Sequence, residues 1–208
     1  MSEVLKQIGA LRLVPVVVID DAKDAVPLAE ALVVGGLPCA EITFRTAAAA
    51  EAIKKVSQVP GMLVGAGTVL NIDTVNRAVD CGAKFIVSPG LNPKVVDYCV
   101  RKNIPITPCV ATPTEIEMAL DFGLNVVKFF PAEAIGGVKT LKAISAPYGM
   151  MKFMPTGGIT EANVGEYLKL PSVLACGGSW MVSKELITKG DFAKITELTK
   201  AAVALAKK

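Results

Sequence analysis

A (β/α)8 barrel preceded by an extra N-terminal helix is the fold this sequence predicts, on three observations. Eight apolar runs of strand length recur along the chain, each is followed by a stretch with helical patterning, and the alternation holds from one end to the other. A doubly wound open sheet more often shows about five or six strands. The 208 residues, 52% hydrophobic, suit one barrel domain spanning 1–208 with an ample core.

The chain opens with a short amphipathic helix carrying Val4, Leu5 and Ile8. The first run, 13–19, is apolar without interruption, as a strand buried on both faces must be, and helix 24–34 ends at Gly35-Gly36. Strand-like runs follow at 39–44, 62–67, 84–87, 106–110, 126–130, 152–155 and 173–176. Helices are expected at 47–56, 72–81, 93–102, 114–122, 138–144, 161–168 and 191–206. Asn71 is placed to cap one of them, Thr112-Pro113 supplies the cap and first residue of another, and Gly82 and Gly123 stand where a left-handed residue ends a helix.

Composition narrows the chemistry. A net charge of +3 with dispersed lysines and arginines argues against nucleic acid or an anionic membrane as partner. The 5 cysteines (Cys39, Cys81, Cys99, Cys109, Cys176) form no Cys-x-x-Cys pair and read as small buried hydrophobes in a reducing compartment. With no leader-like opening and no apolar run near the ~18 residues of a membrane span, the expected location is the cytoplasm. The chain has no histidine, which removes histidine acid/base catalysis, Ser-His-Asp triads and most transition-metal sites. No metal or cofactor is expected, and the chemistry falls to lysine, carboxylates, arginine, hydroxyls and backbone.

Against that background Lys128 stands out, a lysine inside the run Asn125-Val126-Val127-Lys128-Phe129-Phe130-Pro131. With a period of two, Val126, Lys128 and Phe130 share a face, and if both faces are covered that face is the barrel interior. A buried ammonium lowers its pKa and populates the neutral amine, a nucleophile toward carbonyls. The plainer alternative is a lysine that snorkels from a strand end or pairs with an acid such as Glu41.

Barrels present their reactive groups at the C-terminal strand ends. Strand two ends Glu41-Ile42-Thr43-Phe44-Arg45, putting a carboxylate inside and a guanidinium nearer the rim; a buried structural ion pair is the competing account. Strand three ends Gly65-Ala66-Gly67-Thr68, where glycines would let backbone approach a ligand, and strand four ends at the rigid turn Ser88-Pro89-Gly90. Thr156-Gly157-Gly158 and Gly177-Gly178-Ser179 follow the last two strands, the loops in which such barrels often cradle a phosphate, although tight βα turns also use glycine. Trp180 is expected to pack under that loop.

These motifs, in order and spacing through essentially the whole chain, resemble the class I 2-dehydro-3-deoxy-6-phosphogluconate (KDPG) and 4-hydroxy-2-oxoglutarate (KHG) aldolase family. The resemblance implies a Schiff-base aldolase that is usually a homotrimer, with a 2-oxo acid and a phosphorylated aldehyde as its small-molecule partners. It implies Lys128 as the imine-forming residue and Glu41 as general acid/base. Arg45, Thr68 and Pro89 would form the pyruvate pocket, Phe130 would pack beside the imine, and Gly157, Gly158, Gly178 and Ser179 would hold the phosphate; apart from the resemblance, the Thr156 hydroxyl is a candidate hydrogen-bond partner for the sugar. The competing functions are aldol cleavage of the galactonate epimer, an epimerase or decarboxylase using Lys128 as a proton donor, and a non-catalytic sugar-phosphate-binding barrel.

Overall fold

The computed structural model describes residues 1–207. Its strands are β1 (Leu13–Val17), β2 (Cys39–Thr43), β3 (Leu63–Gly67), β4 (Ile86–Val87), β5 (Ile106–Thr107), β6 (Cys109–Val110), β7 (Val126–Phe129), β8 (Lys152–Pro155) and β9 (Cys176–Gly178). Every pairing is parallel. One sheet runs β5-β4-β3-β2-β1-β9 and another β6-β7-β8. Parallel bridges Phe153↔Val173 and Thr156↔Gly177 join β8 to the β9 segment, and β5 and β6 are two halves of one barrel strand. The ring therefore has eight staves, the expected (β/α)8 barrel.

The expected run 106–110 is broken because Pro108 has no N–H for the ladder, so Ile106 and Thr107 pair with β4 while Cys109 and Val110 pair with β7. The last strand also begins later than 173–176 and takes in Gly177 and Gly178. A methyl at Gly177 would lie 2.4 Å from Thr156 Oγ1, and one at Gly178 1.9 Å from the Trp180 ring, so close packing rather than turn-making explains both.

The helices are α1 (Glu3–Leu11), α2 (Ala25–Val34), α3 (Ala49–Val56), α4 (Ile72–Asp80), α5 (Pro93–Arg101), α6 (Pro113–Asp121), α7 (Gly137–Ser145), α8 (Val164–Leu168), α9 (Lys184–Lys189) and α10 (Phe192–Ala206). The short α9 was not expected from the sequence. The caps follow the sequence: Asn71 Oδ1 accepts from Thr74 N at 2.8 Å, Thr112 and Glu115 form a reciprocal capping box, and Gly82 and Gly123 have φ of 98° and 73°.

Strand alternation divides the core in two. Val127 and Phe129 face the helices, in a large cluster with Leu28, Leu32, Ile53, Val75 and Ile195. Val126, Cys39, Leu63, Phe85 and Met154 face inward and meet Leu5 and Ile8 of α1, which stops the N-terminal end of the barrel. That plug leaves the other end, where the strands finish, as the mouth.

Candidate active site

The inward alternation that puts Val126 on the plug carries Lys128, two residues on, one layer nearer the mouth. The same step takes β2 from Cys39 to Glu41. Both polar side chains are sealed off, Lys128 at 5% and Glu41 at 2% exposure, and Lys128 Nζ lies 3.5 Å from Glu41 Oε1. Either charge alone in that position would cost several kcal/mol of desolvation; each is tolerated because the other faces it. The two accounts of Lys128 are thus one: it pairs with Glu41, and it does so inside the barrel. At 3.5 Å the contact sits at the outer limit of a hydrogen bond, so the two groups offset each other electrostatically without a tight engagement. The Phe130 ring centroid is 5.2 Å from Nζ and gives the amine one apolar wall.

Gly67 makes this arrangement possible. A methyl there would fall 2.2 Å from Glu41 Oε1 and 2.8 Å from its Cδ, while one at Gly65 would strike the Phe85 ring at 2.3 Å. The strand-three glycines, expected to admit a ligand, instead admit side chains of neighbouring strands.

At the rim, Arg45 is exposed and its Nε donates to Thr68 Oγ1 at 3.1 Å. Thr68 has φ +56°, a left-handed conformation costing a β-branched residue on the order of 1–3 kcal/mol and concentrated at functional sites. Pro89 is exposed at the end of β4, in a turn held by Ser88 Oγ donating to Gly90 O at 2.7 Å. Thr156, Gly157 and Gly158 follow β8. Thr156 is buried with its hydroxyl against Met154 O at 3.4 Å, and Gly157 lies against the Phe130 ring. Gly178 is buried beneath Trp180 and Ser179 is exposed beyond it, beside the β8 loop through the Thr156↔Gly177 bridge. Direct contacts thus join Glu41, Lys128, Phe130 and Gly157, and separately Arg45 and Thr68; Pro89 and Ser179 are placed at strand ends. Clefts also lie elsewhere, one of about 590 Å³ beside Arg12 and Leu168 at the N-terminal side and one of about 630 Å³ on the outer face beside Lys139, but neither gathers an acid, an amine and a guanidinium.

Comparison with known proteins takes in almost the whole chain. A family profile described as "Aldolase: KDPG and KHG aldolase" matches residues 3–198. The chain belongs to the KDPG and KHG aldolase family. It is 49% identical over 200 residues to the 2-dehydro-3-deoxy-phosphogluconate aldolase of Treponema pallidum, covering 96% of this chain and 95% of that one. It superposes with a TM-score of 0.92 on the 2-keto-3-deoxy-6-phosphogluconate aldolase of Zymomonas mobilis crystallised with 3-phosphoglycerate (45% identity, covering 97% and 95%). It superposes equally well, TM-score 0.92, on a KDPG aldolase from Legionella pneumophila with pyruvate captured at low pH as a covalent carbinolamine intermediate (41% identity, covering 96% and 98%).

In this aldolase the structure also adds residues that sequence reading passed over. Cys109 is in register with Lys128 and its Sγ donates to Phe130 O at 3.3 Å; burial pushes this thiol up to about 11, so it is a neutral donor. Glu133 and Tyr167 meet beneath the Gly157–Gly158 loop although 34 residues separate them. Cys109 reads from the sequence only as a small buried hydrophobe, and nothing local signals the Glu133–Tyr167 pair.

Proposed function

We propose that this class I aldolase cleaves 2-dehydro-3-deoxy-6-phosphogluconate to pyruvate and glyceraldehyde 3-phosphate, with 4-hydroxy-2-oxoglutarate as a second substrate giving pyruvate and glyoxylate. The observation that carries the reading is the buried Lys128–Glu41 pair at 3.5 Å in the barrel mouth. Lys128 Nζ attacks the C2 ketone, the carbinolamine loses water, and a protonated imine results. Glu41 takes the C4 hydroxyl proton, the C3–C4 bond breaks toward the iminium, and the aldehyde departs from an enamine. Protonation at C3 and hydrolysis of the imine release pyruvate and the amine. Arg45, held by Thr68, is the fork for the substrate carboxylate, with Pro89 and Phe130 as apolar walls. Thr156 meets the sugar hydroxyls, and Gly157, Gly158, Gly178 and Ser179 receive the phosphate.

What supports these roles is convergence: an amine, a carboxylate and a guanidinium on strands that end at one mouth, with glycine loops across the rim. The same reading has residues 1–208 acting as one domain, in a homotrimer, in the cytoplasm; among the described residues no helix is long and apolar enough to cross a membrane. The test is borohydride reduction in the presence of pyruvate, followed by mass mapping. A stable adduct on Lys128 and loss of all turnover in Lys128→Ala are expected. An unmodified Lys128 would remove the imine and leave the proton-donor alternative.

A further inference from the structure

The Gly157–Gly158 loop is held from below. Glu133, in the 3-10 turn Glu133–Ile135 after β7, donates its backbone N–H to Gly157 O at 3.1 Å. Asn163 Nδ2 donates to Gly158 O at 3.0 Å, and its Oδ1 accepts from Thr160 N at 2.8 Å. A trans peptide points its N–H opposite its carbonyl, so pinning these two oxygens toward the protein turns the N–H groups of Gly158 and Ile159 the other way. Among the described residues no protein acceptor takes either one. With φ of 95° and 78°, the two glycines form a concave run of backbone donors of the kind that binds anions.

The strut itself is anionic, which sets a problem. A methyl at Gly158 would lie 2.6 Å from Glu133 Cβ and 2.7 Å from its Cγ, so a carboxylate-bearing side chain packs directly against the loop that would hold the anion. Tyr167 deals with it. Its ring is completely buried in α8, and its hydroxyl donates to Glu133 Oε1 across 34 residues of sequence. Burial, and then Glu133 itself, push the phenol above its ordinary range, so it stays a donor at any working pH.

We propose that Tyr167 and Glu133 are positioning residues for the phosphoryl group of the substrate: the pair fixes the Gly157–Gly158 loop with its N–H groups outward and keeps the Glu133 carboxylate turned away from the phosphate. The proposal rests on the reading that this loop is where the phosphate sits. It predicts a specificity effect, because 4-hydroxy-2-oxoglutarate ends in a carboxylate next to C4 and extends no group to that loop, whereas the phosphorylated substrate does.

The test is steady-state kinetics with both substrates on Tyr167→Phe, Glu133→Ala and Glu133→Gln. Tyr167→Phe keeps the buried ring, and Glu133 is exposed, so folding of at least one of these variants is secure; a thermal melt checks it. A hydrogen bond to a charged group corresponds to on the order of tenfold, so Tyr167→Phe, which frees the carboxylate, should raise KM for the phosphorylated substrate about tenfold with kcat within twofold, and Glu133→Ala, which loses the strut but also its charge, should raise it by less. Values for 4-hydroxy-2-oxoglutarate should stay within twofold. Glu133→Gln, which keeps an acceptor for Tyr167 and loses the charge, should recover most of the affinity. A Ser179→Asp control, repelling phosphate directly, separates the two possible failures. If it discriminates between the substrates while Tyr167→Phe and Glu133→Ala change both equally or neither, the positioning role is overturned alone. If no variant discriminates, the phosphate loop and the proposal fall together.

Discussion

A single methyl group at position 67 is enough to test whether Glu41 works from where it lies. Added there, the methyl would sit 2.2 Å from Oε1, and the group it strikes is the end of a rotatable side chain, so the strand can stay and the carboxylate must move. We expect Gly67→Ala to fold, to keep forming the borohydride-trapped pyruvate adduct on Lys128, and to lose on the order of 10² to 10⁴ in kcat, the range for a misplaced acid/base group. Steady-state rates beside the trapping yield give both numbers; an unchanged kcat would detach Glu41 from proton transfer. At this scale the site was largely legible in the sequence, because period-two alternation assigns Glu41 and Lys128 to the interior from their own strands. Their approach to 3.5 Å was open in the sequence only as one of two accounts of Lys128, since it crosses the barrel between strands that are not neighbours. Gly67 shows the converse: its residue type was noticed, but what it makes room for belongs to another strand.

Among the elements, α1 does the most for the site from the farthest away. Ile8 is completely buried and Leu5 nearly so, both against inward residues of the strands, which closes the barrel opposite its mouth and keeps water from the polar layer above. Ile8→Ala should lower the unfolding free energy by about 2–5 kcal/mol, the usual range for emptying a core site of that size. Its KM for pyruvate-forming substrates should be unaltered, because Val126 and Met154 still lie between the cavity and Lys128. Urea unfolding together with substrate titration checks both halves, and a KM change as large as the stability change would mean that the plug and the mouth are coupled. The helix was legible as amphipathic, but its docking into the barrel end was not, since an apolar stripe does not name the surface that covers it. The reverse held at Pro108: the residue was visible, yet only the pairing of each half with a different neighbour reveals that it splits the stave.

For the whole molecule, the sealed thiols make stability depend on pH. Burial pushes Cys99 and Cys109 up to about 11 and Cys176 up to about 12, from an ordinary 9.0, and Cys39 shifts in the same direction. Below pH 9 the folded and unfolded chains both hold these protons, and the stability is complete. Above it the unfolded chain releases them while the folded chain keeps them, so the unfolding free energy must fall as pH rises from about 9 toward 11 and 12. Urea midpoints measured from neutral to strongly alkaline pH should be level at first and then decline through that window. Cys99→Ala and Cys176→Ala should each flatten the decline, since alanine fills most of the space without titrating. A decline of unchanged steepness in both variants would assign the alkaline loss to lysine and tyrosine ionisation instead. The cysteines were read from sequence as buried hydrophobes on composition alone, and four of the five are; Cys81, half-buried behind α4, is the one whose thiol should react first with an alkylating reagent on the folded protein.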